Sequence, residues 1–358
     1  MAALVSEVAR VENLNLRPTL TGLLQNAGLT VRDLDNGRGD CVVASKEIKK
    51  GTELLKCPLN EAVLMASTPQ FLAQLLLEQK FIVGGVKNEF FENLNRSTSV
   101  PGSFALASMT TSNKNDFDGT LLKVIAERRA REAEALSSKM AVDLNTCQNA
   151  LHTVHSRCLF IKELSSFVLP PFVEYLNHDP NASAAWHVVE GEIVVRSCND
   201  IKKGDEVTIS YGEHSNEVFA IQYFFIPPAN PFDILYLPMR RELTVMRVAK
   251  FEGTSVEETN TRFVPYGFVE YGEKAMEIAR VIHPDDPEHF IHFKLQTLRK
   301  GLEDNMINLM KRKRRDNGLD PVNTLWLDYF SAKVSLINRC IKKHQTTASA
   351  LKGLVQKS

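Results

Sequence analysis

Residues 172–216 read FVEYLNHDPNASAAWHVVEGEIVVRSCNDIKKGDEVTISYGEHSN. Within them Ala185-Trp186-His187-Val188-Val189 and Glu192-Ile193-Val194-Val195-Arg196 flank Glu190-Gly191, which is β-hairpin chemistry: two β-rich runs around a two-residue turn ending in glycine. Asp200–Glu206 reads as a second turn, and Val207-Thr208-Ile209-Ser210-Tyr211 as a further short strand. Taken singly, the polar groups here have ordinary explanations. Asn177-His178-Asp179-Pro180 suits a helix cap or an Asx turn, and Tyr211-Gly212 suits packing at a strand end.

Working outward, the region before this stretch has the same character. Gly37-Arg38-Gly39 reads as a turn, Cys41-Val42-Val43 as a short strand, Lys49-Lys50-Gly51 as a turn, and Glu53–Cys57 as a strand closed by Pro58. The pattern then becomes helical. PQFLAQLLLEQKF (69–81) has apolar residues at helical spacing before Gly84-Gly85. A polar stretch follows at Arg96–Asp118, and residues 119–157 read as one long helical segment. Its mixed-sign run RRAREAE (128–134) is a solvated face. Short strands interrupted by helices predict a β unit split by a helical insertion. After Pro227-Pro228 and Pro231 the periodicity is helical to the end, with a stop at Asn317-Gly318 and Pro321. The basic run Lys311–Arg315 has two readings, a nuclear-import or phosphate-binding patch and the solvated C-terminal turn of that helix, where cations favour the dipole; the helix stop at Gly318 favours the second. The expected organisation is an α+β domain over 1–235, in halves at 27–66 and 147–235 around the insertion 67–146, followed by an all-α domain over 236–358.

Composition narrows the function classes. The 358 residues carry 43 Lys+Arg against 43 Asp+Glu, for a formal charge of +0. That balance gives no general affinity for phosphate backbones, so no nucleic-acid partner is expected. No apolar run approaches the roughly 18 residues of a membrane span. Glu7 and Glu12 interrupt the N-terminus where a signal peptide is apolar. We therefore expect a soluble, cytoplasmic monomer, with the nucleus as the alternative compartment. Cys41, Cys57, Cys147, Cys158, Cys198 and Cys340 never fall at a zinc-binding spacing. No metal site and no disulfide scaffold are expected, and most of these cysteines read as buried apolar filler.

Taken together and in order, the motifs resemble a SET domain, the fold of S-adenosylmethionine-dependent protein-lysine methyltransferases. Asn177-His178 is similar to the family's Asn-His signature. Gly204-Asp205-Glu206-Val207-Thr208-Ile209-Ser210-Tyr211-Gly212 is similar to its signature of glycine, acidic pair, strand and tyrosine. Gly37-Arg38-Gly39, followed by Ala44-Ser45-Lys46-Glu47-Ile48-Lys49-Lys50-Gly51, is similar to the family's opening. The absence of cysteine clusters, the helical insertion and the helical C-terminal region resemble the Rubisco large-subunit methyltransferase subclass. Members of that subclass modify lysine, or in one branch histidine, on non-histone proteins.

The resemblance implies an S-adenosyl-L-methionine cofactor, a protein substrate presenting a lysine side chain, and a narrow channel joining the two. Asn36, Gly37, Arg38 and Gly39 would contact the methionine part of the cofactor. Asn177 and His178 would hydrogen-bond it through backbone and side chain, and Arg157 would meet its carboxylate at the border of the substrate site. Tyr211 would line the channel with its hydroxyl near the transferred methyl, as the catalytic residue and a cofactor contact. Phe225 would pack on the adenine, and Tyr223 would add to the substrate wall. Two departures stand out. Phe224 replaces a glycine usual in relatives, which is expected to change the backbone near the adenine, and Glu174 replaces a usual Asp. The leading expectation is a lysine N-methyltransferase. Histidine methylation and a non-catalytic interaction module are the alternatives.

Overall fold

The structure, a computed structural model, describes residues 24, 26–34, 39–59, 64–82, 121–170, 175–239, 268–315 and 321–355. The chain divides into two compact units. The first comprises 1–103 with 130–213, and the second 104–129 with 214–358. The polar stretch 96–118, Asn36–Arg38 and Glu174 lie outside the described residues.

The first unit opens with strands β1 (Leu29–Leu34) and β2 (Gly39–Ala44), an antiparallel pair with Leu29 opposite Ala44. β1 lies outside the strands predicted above, although Leu29 and Val31 alternate with Thr30 and Arg32 at period two. β3 (Glu53–Pro58) does not pair with its sequence neighbour β2. The short strand β4 (Leu64–Ala66) and helix α1 (Pro69–Ile82) follow.

The segment 119–157 is not one helix. α2 (Leu121–Met140) ends at Ala141, which takes φ 53°, and α3 (Leu144–Arg157) starts afresh. Asp143 caps α3: one carboxylate oxygen accepts from the Thr146 amide at 2.9 Å and the other from the Thr146 hydroxyl at 2.6 Å. These bonds hold the Asp143 carboxyl below its ordinary value. A capping aspartate satisfies amides left open at a helix start, so it restarts a helix that apolar periodicity alone would continue. β5 (Leu159–Ile161) and β6 (Ser166–Leu169) then form a sheet in the order β4-β6-β5.

β7 (Asn177–His178) is a two-residue strand. β8 (Ala184–Val189) and β9 (Glu192–Ser197) form the expected hairpin. Its turn residues Glu190 and Gly191 have φ 51° and 81°, the paired left-handed conformation that matches strand twist. β9 is the middle strand of the order β3-β9-β8, so the early half of the chain pairs with the late half. β9 is paired along both edges, and Ile193, Val194 and Val195, which point alternately to its two faces, are all buried. The strand expected over 207–211 is only β10 (Thr208–Ile209), paired in parallel with β7. Further bonds join the halves. The Val207 amide donates to the Val42 carbonyl at 2.8 Å, and Ile48 and Ile201 exchange amide bonds at 2.9 and 2.8 Å. One core gathers Leu29, Val42, Ile48, Leu55, Ile193 and Ile209 across these joins. A second, under α1 and α3, includes Leu72, Leu77, Leu136, Cys147 and Val154.

The second unit begins with the helical turn Asn216–Val218, which runs into a π turn over Phe219–Tyr223. β11 (Tyr236–Pro238) pairs antiparallel with β12 (Phe268–Glu270), so this largely helical unit also carries a small sheet. α4 (Glu273–Ile282), α5 (Pro287–Arg315) and α6 (Pro321–Val355) follow. α5 ends with the basic run, as predicted, and Pro321 opens α6, the first helical position that suits a residue lacking an amide hydrogen. Their core includes Leu295, Leu302, Trp326 and Phe330, together with Ala220 and Ile221 of the π turn and Leu122 and Ala126 of α2. Among the described residues no helix is long and apolar enough to cross a membrane, and no group of three or more His, Cys, Asp or Glu is arranged to hold a metal.

Candidate active site

β7 and β10 are too short to be stable by themselves and are held by side-chain and further backbone bonds. The Asn177 amide nitrogen donates to Glu206 Oε1 at 2.7 Å, and the Asp179 amide donates to the Ile209 carbonyl at 3.1 Å. Ser183 Oγ accepts from the Thr208 amide at 2.9 Å, while Thr208 Oγ1 accepts from the Ser183 amide at 3.2 Å. Asp179 Oδ1 accepts from the Asn181 amide at 2.7 Å, so the Asx turn read from the sequence is present directly after the Asn-His strand.

This lattice sets Tyr211. Its backbone amide donates to His178 Nδ1 at 3.1 Å, and its hydroxyl donates to the carbonyl of Leu176, a fully buried residue, at 2.9 Å. An Nδ1 that accepts a hydrogen bond is unprotonated, so the neutral imidazole carries its hydrogen on Nε2. The two rings lie 5.3 Å apart with a 39° tilt. Desolvation pushes the Tyr211 phenol up to about 12; the Arg157 charge lowers it and the Glu206 charge raises it further. Arg157, the last residue of α3, is half-buried. The phenol is therefore neutral at physiological pH, with its hydrogen committed to Leu176.

The first unit thus brings together Asn177, His178, Tyr211 and Arg157. Gly39 is the first residue of β2, and the turn before it, with Asn36, Gly37 and Arg38, falls outside the described residues. A groove of about 490 Å³ is lined by Asn181, Ala185, Trp186, Cys198, Asn199 and Ser210, the last adjacent to Tyr211 in the chain. Among the described residues, no charged side chain lines it.

Tyr223 and Phe225 belong to the second unit, in an aromatic cluster. Phe219 lies 5.7 Å from Tyr223 and 5.3 Å from Phe225, and His214 stacks on Tyr223 at 6.3 Å. Between them Phe224 takes φ 63° and ψ 33°, a left-handed conformation. That conformation is the one glycine adopts most readily, and here it places the phenylalanine side chain against the helical core.

Glu206 and the Leu176 carbonyl were not singled out from sequence. Glu206 sits in the acidic pair of the quoted stretch, but nothing in its spacing says that it holds Asn177. A backbone carbonyl leaves no sequence signal at all.

The family model described as SET domain matches residues 39–212. Those residues carry a SET domain. The chain is 27% identical over 210 residues to the ribosomal lysine N-methyltransferase set11 of Schizosaccharomyces pombe, covering 54% of this chain and 55% of that protein. It is 28% identical over 104 residues to human SET domain-containing protein 4, covering 26% of this chain and 23% of that one. The chain therefore spans about half the length, or less, of these relatives. Among solved structures, the SET domain of LSMT bound to lysine and AdoHcy superposes with a TM-score of 0.57 at 13% identity, over 93% of both chains. Rubisco LSMT bound to sinefungin and monomethyllysine gives 0.57 at 14%, over 92% and 91%. The SET fold of LSMT is the fold of this chain.

Proposed function

We propose that this protein is an S-adenosyl-L-methionine-dependent protein-lysine N-methyltransferase acting on a non-histone protein. The observation that carries the reading is Tyr211, whose hydroxyl is anchored to the Leu176 carbonyl at 2.9 Å beside the Asn177–His178 strand inside a SET domain. The relatives support it: one is named a ribosomal lysine methyltransferase, and structural neighbours hold lysine or methyllysine with cofactor analogues.

The residues present suit the cofactor. In the first unit the half-buried Arg157 guanidinium matches a carboxylate and the Asn177–His178 backbone offers polar groups at a strand end; in the second unit, taken by itself, Phe225 offers a π face for an adenine. When bound, S-adenosylmethionine supplies a methyl group on a sulfonium, open to in-line displacement by a neutral amine. Tyr211 is no base for that amine, because its phenol holds its proton up to about pH 12. Its O–H is already donated, so it offers oxygen lone pairs to positive charge and fixes the nucleophile's position. A target lysine gives up its proton to water, because desolvation and a neighbouring cation both disfavour ammonium. The uncharged groove next to Ser210 suits substrate residues flanking the lysine, with Trp186 as an apolar surface.

Incubating the protein with labelled cofactor and lysate, followed by mass spectrometry, tests this. Label on a lysine of a non-histone protein is expected. Label on histidine would replace the lysine reading, and absence of both cofactor binding and transfer would leave a non-catalytic SET module. Fractionation would show whether the protein works in the cytoplasm or the nucleus.

A further inference from the structure

The second unit buries a charged cluster that the chemistry above does not use. Lys333 on α6 donates to Glu217 Oε2 at 2.9 Å, to Asp233 Oδ1 at 2.6 Å and to the Ile234 carbonyl at 2.9 Å. The three side chains are 3%, 4% and 5% exposed. Tyr329, one turn earlier on α6, donates to Glu217 Oε1 at 3.1 Å. Asp233 also accepts from the Asn216 amide at 2.9 Å and from its side chain at 3.0 Å. Asn230 bonds to the His214 carbonyl and to Asn216 Oδ1, each at 2.9 Å. Desolvation pushes the Asp233 carboxyl up, and the Lys333 charge opposes that rise.

A buried ion cluster is a poor source of net stability, because desolvation offsets most of the attraction; its best-attested use is to fix register. The register at stake here is that of a very short element. Asn216–Val218 and the π turn Phe219–Tyr223 together make barely two turns, too few to hold a helix unaided. Asn216 and Glu217, at its start, are the residues the cluster grips. The rings it carries, Phe219 and Tyr223, contact Phe225 directly.

We propose that Lys333 is a positioning residue for cofactor binding: with Glu217 and Asp233 it pins the short helical turn to α6 and so sets the aromatic surface of Tyr223 and Phe225 on which the adenine rests. This rests on the reading of Phe225 given above. It assigns to the C-terminal helix, more than one hundred residues from Tyr211 in sequence, a part in cofactor affinity.

Five variants test it, with titration calorimetry of S-adenosylmethionine and steady-state kinetics on cells' own labelled substrate: Lys333→Met; the neutral triple Glu217→Gln/Asp233→Asn/Lys333→Met, which leaves no buried charge uncompensated; Tyr329→Phe, which keeps the ring; Phe225→Ala; and Phe225→Ala/Lys333→Met. Circular dichroism and thermal melts without cofactor confirm folding. The folded Lys333 or triple variant is expected to bind cofactor about tenfold more weakly, with kcat at saturating cofactor within about twofold of the parent. Tyr329→Phe is expected to show a smaller loss of the same kind. In the Phe225→Ala background the Lys333 change should add little, which a general loss of stability would not reproduce. Unchanged affinity in the folded triple variant overturns the inference, as does a fall in kcat with affinity intact. If neither Lys333→Met nor the triple variant folds, unchanged affinity in Tyr329→Phe overturns it. If Phe225→Ala weakens binding and the triple variant does not, only the Lys333 inference falls. If Phe225→Ala has no effect, or the parent binds no cofactor, the adenine reading falls and takes the inference with it.

Discussion

Replacing Phe224 offers a sign reversal that the structure alone predicts. At φ 63° and ψ 33° its backbone sits where a Cβ meets the following carbonyl, at a cost of about 1–2 kcal/mol. Phe224→Gly removes that cost but gives up the half-buried ring packed on the helical core, a loss of about 1–1.5 kcal/mol if half of a fully buried side chain is at stake. The two nearly cancel, so Phe224→Gly should melt close to the parent. Phe224→Ala loses the same ring and keeps the strain. The informative quantity is the difference between the two variants, because the ring term drops out. Glycine should be the more stable by about 1 kcal/mol, whereas in an ordinary helix it is the less stable by about that much. Urea unfolding of all three proteins, compared by midpoint at constant m, reads this directly. An alanine variant as stable as the glycine variant, or more so, would refute the left-handed assignment and with it the claim that the turn before Phe225 keeps a glycine geometry.

Other expectations follow from the same bonds. Tyr211→Phe leaves the buried Leu176 carbonyl without its donor, which should cost about 1–3 kcal/mol. Its kcat should fall by about 10²-fold with cofactor affinity little changed, as single-turnover and binding measurements would show. Absorbance at 295 nm through an alkaline titration should show a phenol ionising near pH 12, and Tyr211→Phe should remove that step. Because that value lies above the unfolded one near 10, its stabilising share is complete below pH 10 and is lost as pH rises to 12. Asp143→Ala should lower the melting temperature by loosening the start of α3. For Asp143 the folded value is lowered, so its contribution is present above the unfolded value near 4 and disappears as pH falls through the folded one; the variant should lack that acid-side loss in a melting series from pH 6 to pH 2.

The hairpin β8–β9 was legible because everything it needs is local. Alternation gives the strands, and Glu190-Gly191 gives the turn. The helices were legible by period, but their breaks were only partly so. Asp143 and Thr146 carry a capping signature, yet the apolar spacing runs through them, and the separate helices appear only where Asp143 takes the Thr146 bonds. β1 was missed because Asp33 and the glycine turn after it mask a short alternation. The parallel pairing of Asn177-His178 with Thr208-Ile209 could not be read at all, since each partner is two residues long.

The class of fold is written in the order of the motifs along the chain. The Asn-His pair, the glycine–acidic–strand–tyrosine run and their order mark a SET domain because backbone-forming and polar residues recur at fixed chain positions. The tertiary structure decided what those residues do to each other. Tyr211 is held by a carbonyl and by His178, Asn177 is held by Glu206, and a lysine on the last helix grips the turn that leads to Phe225. The physical reason is range. Turn and strand preferences are set by neighbours along the chain, whereas hydrogen bonds and desolvation are set by groups that meet only after the chain has closed on itself.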